Sequence, residues 1–209
     1  MSKRVGDVAV SDYHKNGYLP EALINFMVLL GWNPGTKQEL FSMQELIKEF
    51  SLEKVQKAGA VFNEEKLAWI NRAYIRNMSS EELAKKILPM IAGTGKDVSP
   101  ELALRMAEIE RARVSKLRDI EDHLAIYTEM PSYEAALLRW KGKQDYREVT
   151  QHPSAMRNIL CVVPEEALKS SKKIEEALMP YAAAHAKGNV LWPLRVALSG
   201  REKSPGPFE

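Results

Sequence analysis

The residues of this chain best equipped for chemistry are arginines and lysines, whose donors can meet phosphate oxygens or the edge of a base. Lys66, Arg72 and Arg76 fall on one helical stretch and could meet phosphates, although charge on a helix is most often a solvated face. Arg113, within Arg111-Ala112-Arg113-Val114-Ser115-Lys116-Leu117-Arg118-Asp119, offers a planar donor fork that matches a base edge carrying acceptors. The alternative is an arginine in the last turn of a helix, favourable to the dipole and nothing more. Arg195 reads as lying in the first turn of a helix opened by Pro193, where the dipole disfavours it and its placement calls for a partner. Lys169, Lys172 and Lys173 could add a phosphate-attracting patch, diluted by Glu175 and Glu176. Trp32, Trp69 and Tyr74 read as core more readily than as base-stacking platforms. Other chemistry finds little support. His14, His123, His152 and His185 are scattered without metal-ligand spacing, and no serine or cysteine nucleophile has a base. Gly93-Thr94-Gly95-Lys96 lacks the spacing of a phosphate loop.

The elements that must position these side chains read as helices. Pro20 opens a helix carrying Leu23, Phe26, Met27 and Leu30, with Gly31 expected as its left-handed cap. Ser42 with Glu45, and Ser79 with Glu82, have capping-box spacing, and Asn63 and Ser99 read as further N-caps. Residues 101 to 127 carry apolar side chains at helical intervals, with Ser115 as a possible second cap. Tyr133 to Trp140 reads as a short helix and Gln151-His152-Pro153 as a turn. A helix from Ser171 to Ala186 is expected to end at Gly188. Residues 6–10 and 159–163 are short apolar runs that could be strands or buried loops. The fold expected is mainly α.

Composition limits the function classes. The chain has 209 residues, 45% hydrophobic and 28% charged, as ordinary globular proteins do. No apolar run approaches the roughly 20 residues needed to span a bilayer. The N-terminus lacks an apolar signal segment. A net charge of +2 is too small to argue for nucleic acid by itself, so any such contact must come from local patches. The single cysteine, Cys161, excludes an internal disulfide, suits a reducing cytosol and reads as a small core residue.

Four stretches, in order, resemble bacterial-type glutamyl-tRNA synthetases of class I. Met1-Ser2-Lys3-Arg4-Val5-Gly6-Asp7-Val8 looks like the tail of the loop that in this family reads K-[M/L/I]-S-K-R-x-G-D-V. Gly17-Tyr18-Leu19-Pro20-Glu21-Ala22-Leu23-Ile24-Asn25, with Leu29-Leu30-Gly31-Trp32-Asn33-Pro34, resembles G-Y-L-P-E-A-L-x-N and L-L-G-W-x-P. Lys66-Leu67-Ala68-Trp69-Ile70-Asn71 and Tyr74-Ile75-Arg76 resemble K-L-x-W-x-N and Y-I-R. Pro193-Leu194-Arg195-Val196-Ala197-Leu198-Ser199-Gly200 and Ser204-Pro205-Gly206-Pro207-Phe208-Glu209 resemble P-L-R-x-A-L-[T/S]-G and [T/S]-P-G-x-F-E. Residues 128–186 are similar in helical character alone.

The resemblance implies a stem-contact helical domain followed by an α-helical anticodon-binding bundle. It divides the chain into 1–78 (the loop end and stem-contact domain), 79–132 and 133–209 (two anticodon-binding subdomains, the second cut short). It implies that Lys3 is catalytic and that Ser2, Lys3 and Arg4 contact ATP. Lys66, Arg72 and Arg76 are then the tRNA-stem phosphate contacts, Arg113 reads the last anticodon base, and Arg195, Ser204 and Pro207 hold the anticodon loop. No metal site is expected in this chain; ATP and Mg2+ would serve the full-length enzyme. The H-I-G-H motif and nucleotide-binding fold are absent here, so the chain is expected to be a fragment, inactive alone. Its implied partner is glutamate tRNA, with neither membrane nor DNA, as a cytoplasmic monomer. A glutaminyl-type relative would end in β-barrels, which this chain does not suggest. The alternative is a non-catalytic helical RNA- or protein-binding module derived from a synthetase.

Overall fold

Side-chain caps set several helix starts in the protein, whose computed structural model describes residues 9–56, 61–142 and 145–209. Ser42 Oγ accepts from Glu45 N at 3.2 Å while Glu45 Oε2 accepts from Ser42 N at 2.6 Å, closing the capping box of α3 (Met43–Glu49). Ser79 and Glu82 do the same for α5 (Ser80–Gly93). Asn63 Oδ1 caps α4 (Glu64–Asn77), and Ser99 Oγ caps α6 (Pro100–Glu110), whose first residue is the expected proline. Each such cap stabilises its helix by about 1 kcal/mol.

The chain divides into two compact units between Leu124 and Ala125. In the first, α1 (Val10–Lys15) leads into α2 (Pro20–Gly31), which packs on α4, while α5 packs on α6. Tyr18, Leu19, Phe26, Leu67, Ile70, Ile75, Ile87 and Met106 are buried. The last helix of this unit is α7 (Asp119–Thr128), which runs across the division. Trp32, Phe41 and Leu46 form a satellite cluster, so Trp32 is core, as expected. Gly31 is not a left-handed cap. It is the last residue of α2, and Trp32 turns the chain out in an extended conformation, φ −132°. Trp32 then makes an isolated antiparallel bridge with Val55; no strand forms among the described residues.

The second unit packs α8 (Tyr146–Cys161), α10 (Ser171–Ala184) and α11 (Lys187–Ser199) around Met156, Leu178, Ala182, Val190 and Leu194. A short helix, α9 (Glu165–Leu168), connects them. Tyr133 to Trp140 does not make one helix; 3-10 turns form instead at Ala135–Leu138 and Trp140–Gly142. Two prolines mislead a reading by local propensity. Pro153 lies inside α8 and Pro193 inside α11, although an interior proline costs roughly 3 kcal/mol. Burial outweighs that cost, because Val149, His152 and Met156 of α8 and Val190, Leu194 and Val196 of α11 face the core. Residues 159–161 are therefore helix, not strand, and Gly188 lies in the first turn of α11. Cys161, at the end of α8, is exposed rather than core.

His152 gives this unit a pH dependence. Its Nδ1 lies 3.1 Å from the Tyr181 hydroxyl, and the Tyr181 ring stacks on His185 at 4.3 Å. Burial, then the nearby His185 charge, lowers the His152 pKa below the ordinary 6.5. The folded state therefore binds fewer protons than the unfolded chain, so this contribution is present above the ordinary value and lost as pH falls below it. The Tm should fall on acidification from about pH 7 to about pH 5, and His152→Phe should flatten the fall. An unchanged slope in the variant would remove His152 as the cause.

Candidate nucleic-acid interface

Two buried asparagines fix the backbone around the cationic residues of the first unit. Asn71, wholly buried on α4, accepts from Leu19 N at 2.8 Å through Oδ1. Its Nδ2 donates to the Ser115 carbonyl at 2.6 Å, tying the segment after α6 to the start of α2. Asn25, also buried, donates to the Glu39 carbonyl at 3.0 Å and accepts from Phe41 N at 2.9 Å. Tyr74 donates near the same point, to Asn25 Oδ1 and the Phe41 carbonyl. Burial, followed by the Glu21 and Glu45 carboxylates, raises the Tyr74 pKa, so its hydroxyl keeps the proton it donates.

Residues 111–118 form an irregular strap held at several points. Asp119 Oδ2 accepts from Ser115 N and Lys116 N, both at 2.8 Å, so the side chain that caps this turn belongs to Asp119 rather than Ser115. Leu117 N donates to Gly17 O at 2.9 Å, and Val114 and Leu117 are buried. Arg111 Nη1 donates to the Met78 carbonyl at 2.7 Å, and Arg72 Nη2 to the Ala112 carbonyl at 3.0 Å. Arg72 on α4 thus reaches the residue next to Arg113.

Arg113 lies just beyond α6, in the turn rather than in the helix's last turn. Its Nε sits 3.4 Å from Glu110 Oε2, close enough for charge attraction, but the two are not aligned as a hydrogen bond. That Nε is buried, whereas the side chain as a whole is 31% exposed. Glu110 is completely buried, and its Oε2 lies 2.7 Å from His123 Nδ1 of α7.

On α4, Trp69, Arg72 and Arg76 occupy one exposed face; Trp69 is 48% exposed and is not core. Lys66 pairs with Glu39 at 2.6 Å near the solvent, a contact worth under about 1 kcal/mol that a phosphate could displace. In the second unit, Arg195 is in the third turn of α11, because the helix begins at Lys187 and not at Pro193. The dipole objection to its position therefore disappears. Its guanidinium lies over the Trp192 ring, 4.6 Å from the centroid, and Nη2 donates to the Glu202 carbonyl. Trp192 packs on Trp140 at 5.0 Å and donates to the Leu137 carbonyl at 2.8 Å. Ser204 is buried and donates to the Pro205 carbonyl, while Pro207 is partly exposed. Lys169, the residue after α9, pairs with Glu166 of that helix, and Lys172 pairs with Glu176 on α10. No group of metal-ligating side chains occurs among the described residues. Ser2, Lys3 and Arg4 lie outside them.

The arrangement offers exposed cations and an exposed indole on rigid elements, suited to a phosphate backbone and unpaired bases. Sequence reasoning missed Glu110, Asn71, Asn25 and the Trp140–Trp192 pair. Glu110 left a signal: it follows Ala103, Met106 and Ala107 at helical spacing on the buried stripe of α6, where a carboxylate is out of place.

Comparison with known proteins identifies the family. Residues 1–69 match the family of tRNA synthetases class I (E and Q), catalytic domain, and residues 81–209 match the anticodon binding domain family. The glutamate–tRNA ligase of Clostridium novyi (strain NT) is 34% identical across 99% of this chain, and that of Lachnoclostridium phytofermentans 33%. A crystal structure of a glutamate tRNA ligase from Elizabethkingia meningosepticum superposes with a TM-score of 0.80 at 31% identity. One of glutamate-tRNA synthetase from Elizabethkingia anophelis gives 0.75 at 30% identity. Each alignment covers 99% of this chain but 40% of those two chains, and the chain spans 43% and 42% of the two clostridial relatives' length.

Proposed function

The chain belongs to the anticodon binding domain family, and from that premise we propose that it is the tRNA-binding portion of a glutamate–tRNA ligase. The observation that carries the proposal is the strapped segment 111–118, whose Ala112, the neighbour of Arg113, is held by Arg72 of α4. Residues 1–78 would contact the tRNA stem, with Lys66, Arg72 and Arg76 on phosphates. Residues 79–132 and 133–209 would read the anticodon. Anticodon bases are unstacked, so a donor fork can reach their edges, and Arg113 would meet the acceptor edge of the last one. Arg195, over the Trp192 ring, would hold the anticodon loop together with Pro207, while Ser204 shapes the turn that carries it.

Joining glutamate to tRNA with ATP and Mg2+ is assigned to the full-length ligase, where Lys3 would stabilise phosphate charge and Ser2 and Arg4 would support it. The natural setting would be the cytoplasm, as a monomer that engages neither membrane nor DNA. No helix among the described residues is long and apolar enough to cross a membrane.

Salt titration tests the stem contacts. Binding of the chain to a glutamate tRNA transcript should weaken linearly in log–log form with salt. Arg76→Ala should flatten the slope by about 0.9, one duplex phosphate contact, and weaken binding to every tRNA alike. An unchanged slope would free Arg76 of this role. Failure of the parent chain to bind any tRNA would favour the protein-binding alternative.

A further inference from the structure

Glu110 is a carboxylate where the fold calls for an apolar side chain. It occupies the buried stripe of α6, wholly inaccessible, after Ala103, Met106 and Ala107. One of its oxygens, Oε2, faces both the Nε of Arg113 at 3.4 Å and the Nδ1 of His123 at 2.7 Å. Three separate pieces of the first unit therefore converge on one atom: α6, the strap after it, and α7. A buried charge pair is a poor source of stability, since desolvation offsets much of the attraction. It is a good device for fixing geometry.

The geometry points to that use. An arginine side chain has four rotatable bonds, and ordering it costs up to about 2 kcal/mol. Arg113 has no helix to confine it. Its Nε is turned into the protein, so the 31% of the side chain that remains exposed belongs to its other atoms. The strap fixes the other end: Arg113 N donates to the Glu110 carbonyl at 2.8 Å, and Val114 N to the same carbonyl at 3.1 Å. The backbone end is thus hydrogen-bonded to Glu110, and the Nε at the other end lies within charge attraction of its carboxylate.

We propose that Glu110 is a positioning residue that grips the inner edge of Arg113 and thereby presents its guanidinium to an unpaired nucleobase with an acceptor edge. This rests on the proposed role of Arg113 in anticodon reading. Glu110 does not touch RNA; it acts through Arg113, and His123 holds the shared oxygen from the other side. Specificity for the last anticodon base, rather than general affinity for tRNA, is what the clamp supplies.

The test compares parent, Glu110→Gln, Arg113→Ala and the double variant, each measured for binding to glutamate tRNA transcripts that differ only in the last anticodon base. Glutamine preserves shape and removes the charge. Glu110→Gln should reduce the preference for the correct base by about tenfold, and leave the salt slope unchanged. The double variant should be no worse than Arg113→Ala alone. A lower Tm for Glu110→Gln with base preference intact would make Glu110 merely structural and overturn the proposal. If Arg113→Ala itself keeps the preference, the anticodon role of Arg113 fails, and the clamp with it; that outcome is separable because it appears in a variant with Glu110 intact. Should Glu110→Gln fail to fold, NMR of the arginine Nε–H signals in the parent chain decides. A slowly exchanging Arg113 Nε–H supports the clamp, and one exchanging as freely as a solvated arginine overturns it.

Discussion

Gly17→Ala is expected to destabilise the first unit by about 2–5 kcal/mol, the sum of left-handed backbone strain and steric overlap. Gly17 has φ +83°, and a Cβ there would lie 2.4 Å from Arg118 N and 2.7 Å from Leu117 N. Those are backbone atoms, which cannot swing aside as a side-chain tip can. The same residue accepts the Leu117 N–H at 2.9 Å, so the collision falls on the hydrogen bond that ties residues 111–118 to the turn before α2. Gly35→Ala is the control. Its φ is also +83°, but no atom lies within 4 Å of the added Cβ, leaving only the strain of about 1–2 kcal/mol. Thermal unfolding should show a fall on the order of 10 °C for Gly17→Ala and a much smaller one for Gly35→Ala. Equal falls would mean that the close approach to Leu117 and Arg118 is unimportant.

The sequence motifs that carry the family resemblance turn out to be largely architectural. Gly17, Asn25, Asn71 and Tyr74 all come from them, and all four hold backbone segments together. Their roles were not legible in sequence, because each hydrogen bond joins residues far apart in the chain. Helix starts were legible, since a capping box is a local device; Ser42 with Glu45 and Ser79 with Glu82 needed only their own spacing. Local signals failed where burial competed with them. Pro153 and Pro193 read as helix boundaries, yet sit inside helices whose apolar faces fill the second unit's core. Arg195 was misplaced for the same reason. Ser115 looked like a cap, but Asp119, four residues on, accepts both N–H groups of that turn.

Of the candidate site, the arginines were visible and their setting was not. Arg113 could be singled out from its neighbours in sequence, whereas Glu110, three residues earlier, could have been noticed only as a charge on an apolar stripe. That setting decides how large an effect Arg113 can have. A free arginine on a loop gives attraction without much selectivity. One fixed against a buried carboxylate, with a neighbouring strap closed by Asn71, Asp119 and Arg72, can discriminate by geometry. A well-placed arginine fork is worth about 1–3 kcal/mol of discrimination against the wrong base, or roughly 5- to 150-fold.

Base selectivity at Arg113 is best measured as a ratio. The affinity of the chain for a glutamate tRNA transcript is divided by that for the same transcript with a glutamine-type last anticodon base, in the parent and in Arg113→Ala. The expected result is a preference of roughly 5- to 150-fold in the parent that collapses toward unity in the variant, while both proteins keep comparable salt-dependent binding to either RNA. A preference that survives in Arg113→Ala, or its absence in the parent chain, would contradict it.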